Sequence, residues 1–241
     1  MLKYLILFFM ISTNIFAADS VKVESKFYTA PFKDEYREDT ALYKLPFISG
    51  GADAVLLSKL NSYLVSDSIL GDNIDSIISD YKQFGAGITG CDYNILYNKY
   101  GVLSISVYVE TMGAYPDRFY TDVNLNLNTG YRILARDIID AGALKKLAEK
   151  LDKIVQKRIK DKVMQEDMGE EDALQFFEGK HFTEENLGHF AFTDKGIMFY
   201  YDYGLPHALQ ALSPDEDMLL EWSELTYFVK EKSLLDKIMH K

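Results

Sequence analysis

Two stretches alternate so strictly that each reads as a strand with one face in a core. Over 102–109, Leu103, Ile105, Val107 and Val109 form a wholly apolar set, while Val102, Ser104, Ser106 and Tyr108 take the other face. Over 122–128, Val123, Leu125 and Leu127 alternate with Asn124, Asn126 and Asn128. Successive side chains of a strand point to opposite faces, so apolar sets of this kind must be covered on one side. Asn128-Thr129-Gly130 is a tight-turn signal, with 131–134 returning as the partner strand. So short a connection pairs its strands antiparallel.

Other segments fill in around these. Strands are predicted over 21–27, 93–97 and 190–192, and over 197–203 after the turn Thr193-Asp194-Lys195-Gly196. Within 197–203, Ile197, Phe199, Tyr201 and Tyr203 share one face, with Met198, Tyr200 and Asp202 on the other. Leu205–Leu212 and Met218–Trp222 read as a further hairpin around Ser213-Pro214-Asp215-Glu216, a tetrapeptide that also fits a helix capping box. Helical spacing appears over 52–64 and 74–84, and most clearly over 143–163. There Leu147, Leu151, Val155, Ile159 and Val163 line one stripe, Lys145, Lys153, Lys157 and Lys160 lie opposite, and Asp140 is the candidate cap. Ser223 is a candidate cap for a short helix towards Phe228. The mixed charges of 33–39 read as solvated, Leu45–Gly51 as a breaker-rich approach to a helix, and Gly85–Gly90 as a flexible connection. The acidic stretch 165–187 is anchored by Phe176, Phe177 and Phe182. The expected fold class is α+β: an antiparallel β-sheet, continuous from Tyr93 to Trp222, with one long and one or two shorter helices packed on it. It forms a single domain over 19–241.

The 241 residues carry 26 Lys and Arg against 37 Asp and Glu, a net charge of -11. That balance argues against nucleic-acid binding, which needs a basic surface, and suits a cationic partner. Residues 1–18 read as a signal peptide: Lys3, the apolar run Leu5–Ile11, and small residues at Ala17 and Ala18. Cleavage after either alanine places the mature chain in the periplasm or outside the cell, with no transmembrane segment. Retention as an uncleaved anchor is the alternative. No cysteine follows the apolar run to accept a lipid, and the single cysteine, Cys91, excludes an internal disulfide.

Few motifs carry chemistry. His181, Glu184, Glu185 and His189 come nearest to a metal set, but Asn186-Leu187-Gly188 interrupts any helix that would align them, and no zinc signature matches. Gly85–Gly90 follows a helix rather than preceding one, so it offers no helix N-terminus to a phosphate. Cys91 reads as a buried structural thiol whose neighbour Asp92 would raise its pKa. No catalytic residue, metal or cofactor is assigned. Tyrosine is the excess, with 17 residues.

Several short motifs stand in a recognisable order. Tyr93-Asn94-Ile95-Leu96-Tyr97 with Gly101-Val102-Leu103-Ser104-Ile105, Met112-Gly113-Ala114-Tyr115-Pro116, Val123–Gly130, Ile133–Ile139, Phe190–Tyr200, and Tyr203 with Pro206-His207-Ala208 resemble a bacterial extracytoplasmic family. That family forms the C-terminal domain of lysozyme-sensing anti-sigma factors and accompanies some peptidoglycan deacetylases. The resemblance covers about 90–230. It implies the domain's fold, a cell-envelope setting and protein or glycan binding. The chain departs at Tyr115, where the family's loop carries histidine. It also shows no deacetylase domain, anti-sigma segment or membrane span before the domain.

The binding candidates are the loop Met112–Tyr120, with Tyr115, Pro116, Asp117, Arg118 and Tyr120, together with Tyr203 and His207. Loops on rigid scaffolds often carry recognition, and tyrosine supplies contact area at low entropic cost. The expected function is an exported, noncatalytic envelope protein that binds a basic wall-active protein such as lysozyme, or peptidoglycan. The alternatives are an envelope hydrolase or glycan-binding accessory domain acting on peptidoglycan, and a structural envelope protein acting through self-association.

Overall fold

The structure is a computed structural model that describes residues 19–165 and 174–240. A six-stranded sheet runs in order β1 (Lys22–Lys33), β2 (Glu38–Gly50), β3 (Gly87–Lys99), β4 (Val102–Met112), β5 (Pro116–Asn126) and β6 (Tyr131–Arg132). Helices α1 (Ala54–Asn61), α2 (Ser66–Leu70) and α3 (Ile74–Phe84) connect β2 to β3. That crossover makes β2 and β3 the one parallel pair in the sheet, joined only at Leu42↔Gly90 and Tyr43↔Cys91. Every other pair is antiparallel.

The alternating sets bury as their spacing requires. Leu103, Ile105, Val107, Val109, Val123, Leu125 and Leu127 pack with Leu60, Leu64, Ile69, Ile77 and Tyr81 in a core beneath α1–α3. The Asn128–Gly130 turn returns the chain antiparallel into β6.

A second core lies on the other side. It combines α5 (Leu144–Val163), a three-stranded antiparallel sheet of β7 (Phe190–Phe192), β8 (Gly196–Tyr200) and β9 (Asp217–Glu221), and the short helices α4 (Ala135–Ile138), α6 (Trp222–Leu225) and α7 (Leu234–Met239). The α5 stripe Leu147, Leu151, Val155, Ile159 and Val163 meets Ile197, Phe199, Tyr201 and Tyr203 in this core. Each such burial contributes about 1.5–3 kcal/mol before entropy is counted. The result is an α+β architecture with helices packed on antiparallel sheets.

Several expectations are corrected. The strands from Tyr93 to Trp222 form two sheets, not one layer. Alternation shows that a strand has a covered face but not which strand lies beside it. Residues 38–50 are a strand despite their charges and Pro46. The β2–β3 ladder stops at Tyr43, so Pro46 lies beyond it, where a missing N–H is tolerated. Gly87 and Gly90 belong to β3 rather than to a flexible connection. A Cβ at Gly90 would stand 3.3 Å from the Leu42 carbonyl, so the parallel approach of β2 accounts for glycine there. Leu205–Leu212 is not a strand: Pro206 leads into a 3-10 helix, His207–Leu212, none of whose residues is buried. Asp140 does not cap α5 with its side chain. Its carboxylate accepts from the Gly142 N–H, and Ala143 is the cap residue. Part of the acidic stretch, 166–173, lies outside the described residues.

The small sheet stands on its β7 edge against the outer face of the large one. Register places Ser104 opposite Asn124 on that face. The Phe192 N–H donates to Ser104 Oγ (3.1 Å), the Ser104 hydroxyl donates to Asn124 Oδ1 (2.7 Å), and Asn124 Nδ2 donates to the Phe190 carbonyl (2.6 Å). Two buried side chains thus satisfy the edge of β7 that no strand pairs with, in place of a ladder.

Candidate functional site

Further along the same face, the β4–β5 register sets Ser106 opposite Asp122, Tyr108 opposite Tyr120, and Glu110 opposite Arg118. The hairpin turns over Gly113, Ala114 and Tyr115, and the Tyr115 ring stacks on His207 with centroids 5.0 Å apart and planes 16° from parallel. The two sheets therefore touch at the buried Ser104–Asn124 link and again at an exposed aromatic stack.

The structure brings some predicted residues together and separates others. Tyr115 and His207, 92 positions apart in the chain, are in contact and exposed. Pro116, Asp117, Arg118 and Tyr120 lie in β5 rather than in a loop, because the ladder continues to Met112↔Pro116. Tyr120 is 57% exposed and lies 5.4 Å from the Tyr108 ring. The Asp117 carboxylate accepts from the Arg118 N–H, and strand alternation points the two side chains to opposite faces. Tyr203 leaves the set. It is buried, edge-on to Phe177 and Tyr201, with its hydroxyl 3.5 Å from the Asp215 carbonyl. Burial pushes that phenol up to about 12, and the aromatic face it shares with Ile197 and Phe199 is spent on α5.

Sequence reasoning missed the polar residues that face Tyr120. Asp122 carries a buried Oδ1 with no hydrogen-bond partner. Burial raises its carboxyl to about 6, against the opposing pull of the Ser106 hydroxyl, His189 and Arg132. Burial also raises the Tyr200 phenol, helped by Asp122, Asp217 and Tyr120. Glu216 is raised by loss of solvent and then by Asp202, while Arg118 pulls it down. Glu216 thus feels Asp202 and Asp217 on one side of the balance and Arg118 of β5 on the other. The available signal was parity: Asp122, Asn124 and Asn126 repeat a polar residue on one face, and a polar face next to an apolar one needs partners of its own.

Elsewhere the ionisable groups serve the fold. His181 Nδ1 lies 3.3 Å from the Asp152 carboxylate, which also accepts from the Phe182 N–H, so His181 turns to α5 and not towards Glu185. Among the described residues no three His, Cys, Asp or Glu side chains converge as a metal site. Cys91 is buried and its thiol is pushed up to about 11, first by burial and then by Asp92. A cleft of about 320 Å³ beside the 127–130 turn is lined by Arg132, Asp137 and Leu234, among others. Its Arg132 donates to the Asp122 carbonyl and its Asp137 accepts from the Leu134 N–H, so both charged groups are held by main chain. Among the described residues no helix is long and apolar enough to cross a membrane.

No protein-family model and no curated protein sequence matches the chain. Solved structures do. A DUF3298-family protein from Bacteroides fragilis is 14% identical with a TM-score of 0.62, covering 93% of this chain and 100% of its own. A DUF3298-family protein from Pseudomonas aeruginosa is 11% identical with a TM-score of 0.65, covering 91% of this chain and 98% of its own. What is shared is the fold. DUF3298 is a domain of unknown function, so the likeness places the architecture of both sheets and leaves the chemistry to the site.

Proposed function

We propose that this chain is an exported, noncatalytic binding protein of the cell envelope, and that the face around Tyr115, Arg118, Tyr120 and His207 receives a basic protein of the lysozyme type. The observation that carries the reading is the Tyr115–His207 stack. It presents an exposed aromatic surface on a molecule of net charge -11. Aromatic anchors supply most of the energy of such contacts, and surrounding carboxylates steer a cation and fix its orientation. The sequence resemblance to the extracytoplasmic domain of lysozyme-sensing anti-sigma factors and of some peptidoglycan deacetylases supports the same class of partner. The signal-like residues 1–18 support export.

The test is retention of lysozyme by the immobilised chain at about 20 mM and about 150 mM salt, since screening separates steering from contact. Retention at both, weakened roughly tenfold or more by Tyr115→Ala or Tyr120→Ala, is the expected result. No retention at either salt removes this partner. Exposed tyrosine rings also suit sugars, so a parallel arm with insoluble peptidoglycan distinguishes a glycan ligand.

A further inference from the structure

The outer face of β4 and β5 is a ladder of polar and aromatic pairs, and the rungs on either side of Ser106 and Asp122 have a visible use. Ser104 and Asn124 hold the edge of β7. Tyr108 and Tyr120 pack on each other. Between them, Ser106 and Asp122 face each other, and the Ser106 hydroxyl serves the carboxyl, yet Asp122 Oδ1 is buried and bonds to nothing. The basic residues near it do not close that gap. Arg132 donates to the Asp122 main-chain carbonyl at 2.7 Å, and His189, exposed before β7, acts on the carboxyl without bonding Oδ1. The small sheet adds Tyr200 and Asp217 to the same field. A buried polar oxygen left without a partner is costly and rare, and in a native fold it calls for an explanation.

The surroundings specify what would satisfy it. Tyr108 and Tyr120 form the neighbouring rung on the same face, and Asp122 as a residue is half-buried beside the exposed Tyr120, so the carboxyl is reached from that side. Phenol rings attract a cation to their faces, and a carboxylate accepts hydrogen bonds from an ammonium or guanidinium. We infer that Asp122, beside the Tyr108–Tyr120 rung, is the seat for one lysine or arginine side chain of the partner. The partner's being a protein rests on the function proposed above; the seat itself rests on the orphan oxygen and the rings. Tyr115 and His207 then supply the broad contact, and Asp122 reads one charged side chain within it. A cation in the seat favours the ionised carboxylate, so occupancy and ionisation rise together.

The experiment follows the Asp122 carboxyl carbon of the mature chain by NMR through a pH titration, with Nα-acetyl-lysine amide as probe and Nα-acetyl-norleucine amide as its uncharged counterpart. The lysine probe is expected to lower the Asp122 midpoint by about one pH unit at saturation and to shift the Tyr108, Tyr120 and Tyr200 signals. The norleucine probe is expected to do neither. Asp122→Asn keeps the size and polarity of the side chain and is expected to abolish the response. Tyr120→Leu keeps apolar bulk without the ring face and is expected to weaken it several-fold. Lysozyme affinity is expected to fall about tenfold or more in Asp122→Asn. An Asp122 midpoint that ignores the lysine probe overturns the seat, even if lysozyme is still retained through Tyr115. A midpoint that responds while lysozyme is not retained upholds the seat and removes that partner.

Discussion

The link between the sheets is the sharpest place to test the architecture. In Ser104→Ala, the Phe192 N–H and Asn124 Oδ1 lose their partner; in Asn124→Ala, the Phe190 carbonyl and the Ser104 hydroxyl lose theirs. Both residues are buried, at 0% and 3% exposure, so water does not replace what is removed. Each orphaned group costs about 1–3 kcal/mol, which makes each single substitution, with two such groups, worth about 2–6 kcal/mol. The double variant leaves only the two main-chain groups of β7 unpaired, because each side-chain orphan disappears with its owner. Its cost is therefore again about 2–6 kcal/mol rather than the sum, a coupling of about 2 kcal/mol or more. Urea unfolding of the four proteins measures the cycle, and amide exchange supplies a local reading. The Phe192 amide, on the free edge of β7, should lose protection in Ser104→Ala, while that of Ala191, paired with Met198 of β8, should follow global stability only. Singles that add to within about 0.5 kcal/mol, or a Phe192 amide unmoved by Ser104→Ala, would refute the link.

Two further outcomes follow from the structure. The Asp122 carboxyl stands at about 6 in the fold against an ordinary 3.8, so the folded state holds its proton more tightly than the unfolded chain. The resulting penalty is absent below about pH 4 and complete above about pH 6, so stability from this group falls as pH rises through that window. Asp122→Asn should match the parent near pH 4 and exceed it by up to about 3 kcal/mol near pH 7.5 in urea unfolding; a gap that narrows with rising pH contradicts the sign. At Gly196 a Cβ would stand 2.0 Å from the Leu220 carbonyl oxygen and 2.8 Å from Glu221 Cα, both main chain of β9. Gly196→Ala should cost about 2 kcal/mol or more by thermal unfolding, and a loss below about 0.5 kcal/mol would show that β8 and β9 are not so closely apposed.

Much of the secondary structure is legible in spacing alone. The apolar sets of β4 and β5, the α3 stripe and the 20-residue α5 are encoded in adjacent residues, and they fold where the periods place them. Legibility failed where context overrides composition. Pro46 and the charges of 38–44 disguise β2, whose place is set by its neighbours in the sheet: β1 on one side and, on the other, two residues of β3 that lie 48 positions away in the chain. The candidate site was legible in part. Tyr115, Arg118, Tyr120 and His207 could be named from their segments, but Tyr203 could not be told from Tyr200. Parity puts the two on opposite faces of the expected strand 197–203, of which β8 keeps only the part to Tyr200, without showing which face α5 covers.

The amino-acid order settles where the strongly periodic elements, β4, β5, α3 and α5, run and which side of each is greasy, because those follow from a repeat of 2 or 3.6 residues in a backbone of fixed geometry. Folding in three dimensions chooses what lies against each side. It splits the strands into two sheets, turns the edge of β7 into Ser104 and Asn124, stacks Tyr115 on His207, and leaves one oxygen of Asp122 unspent. Those outcomes depend on contacts between residues tens of positions apart, where the gain from each pairing competes with every other pairing the chain can make, and no local repeat records the winner.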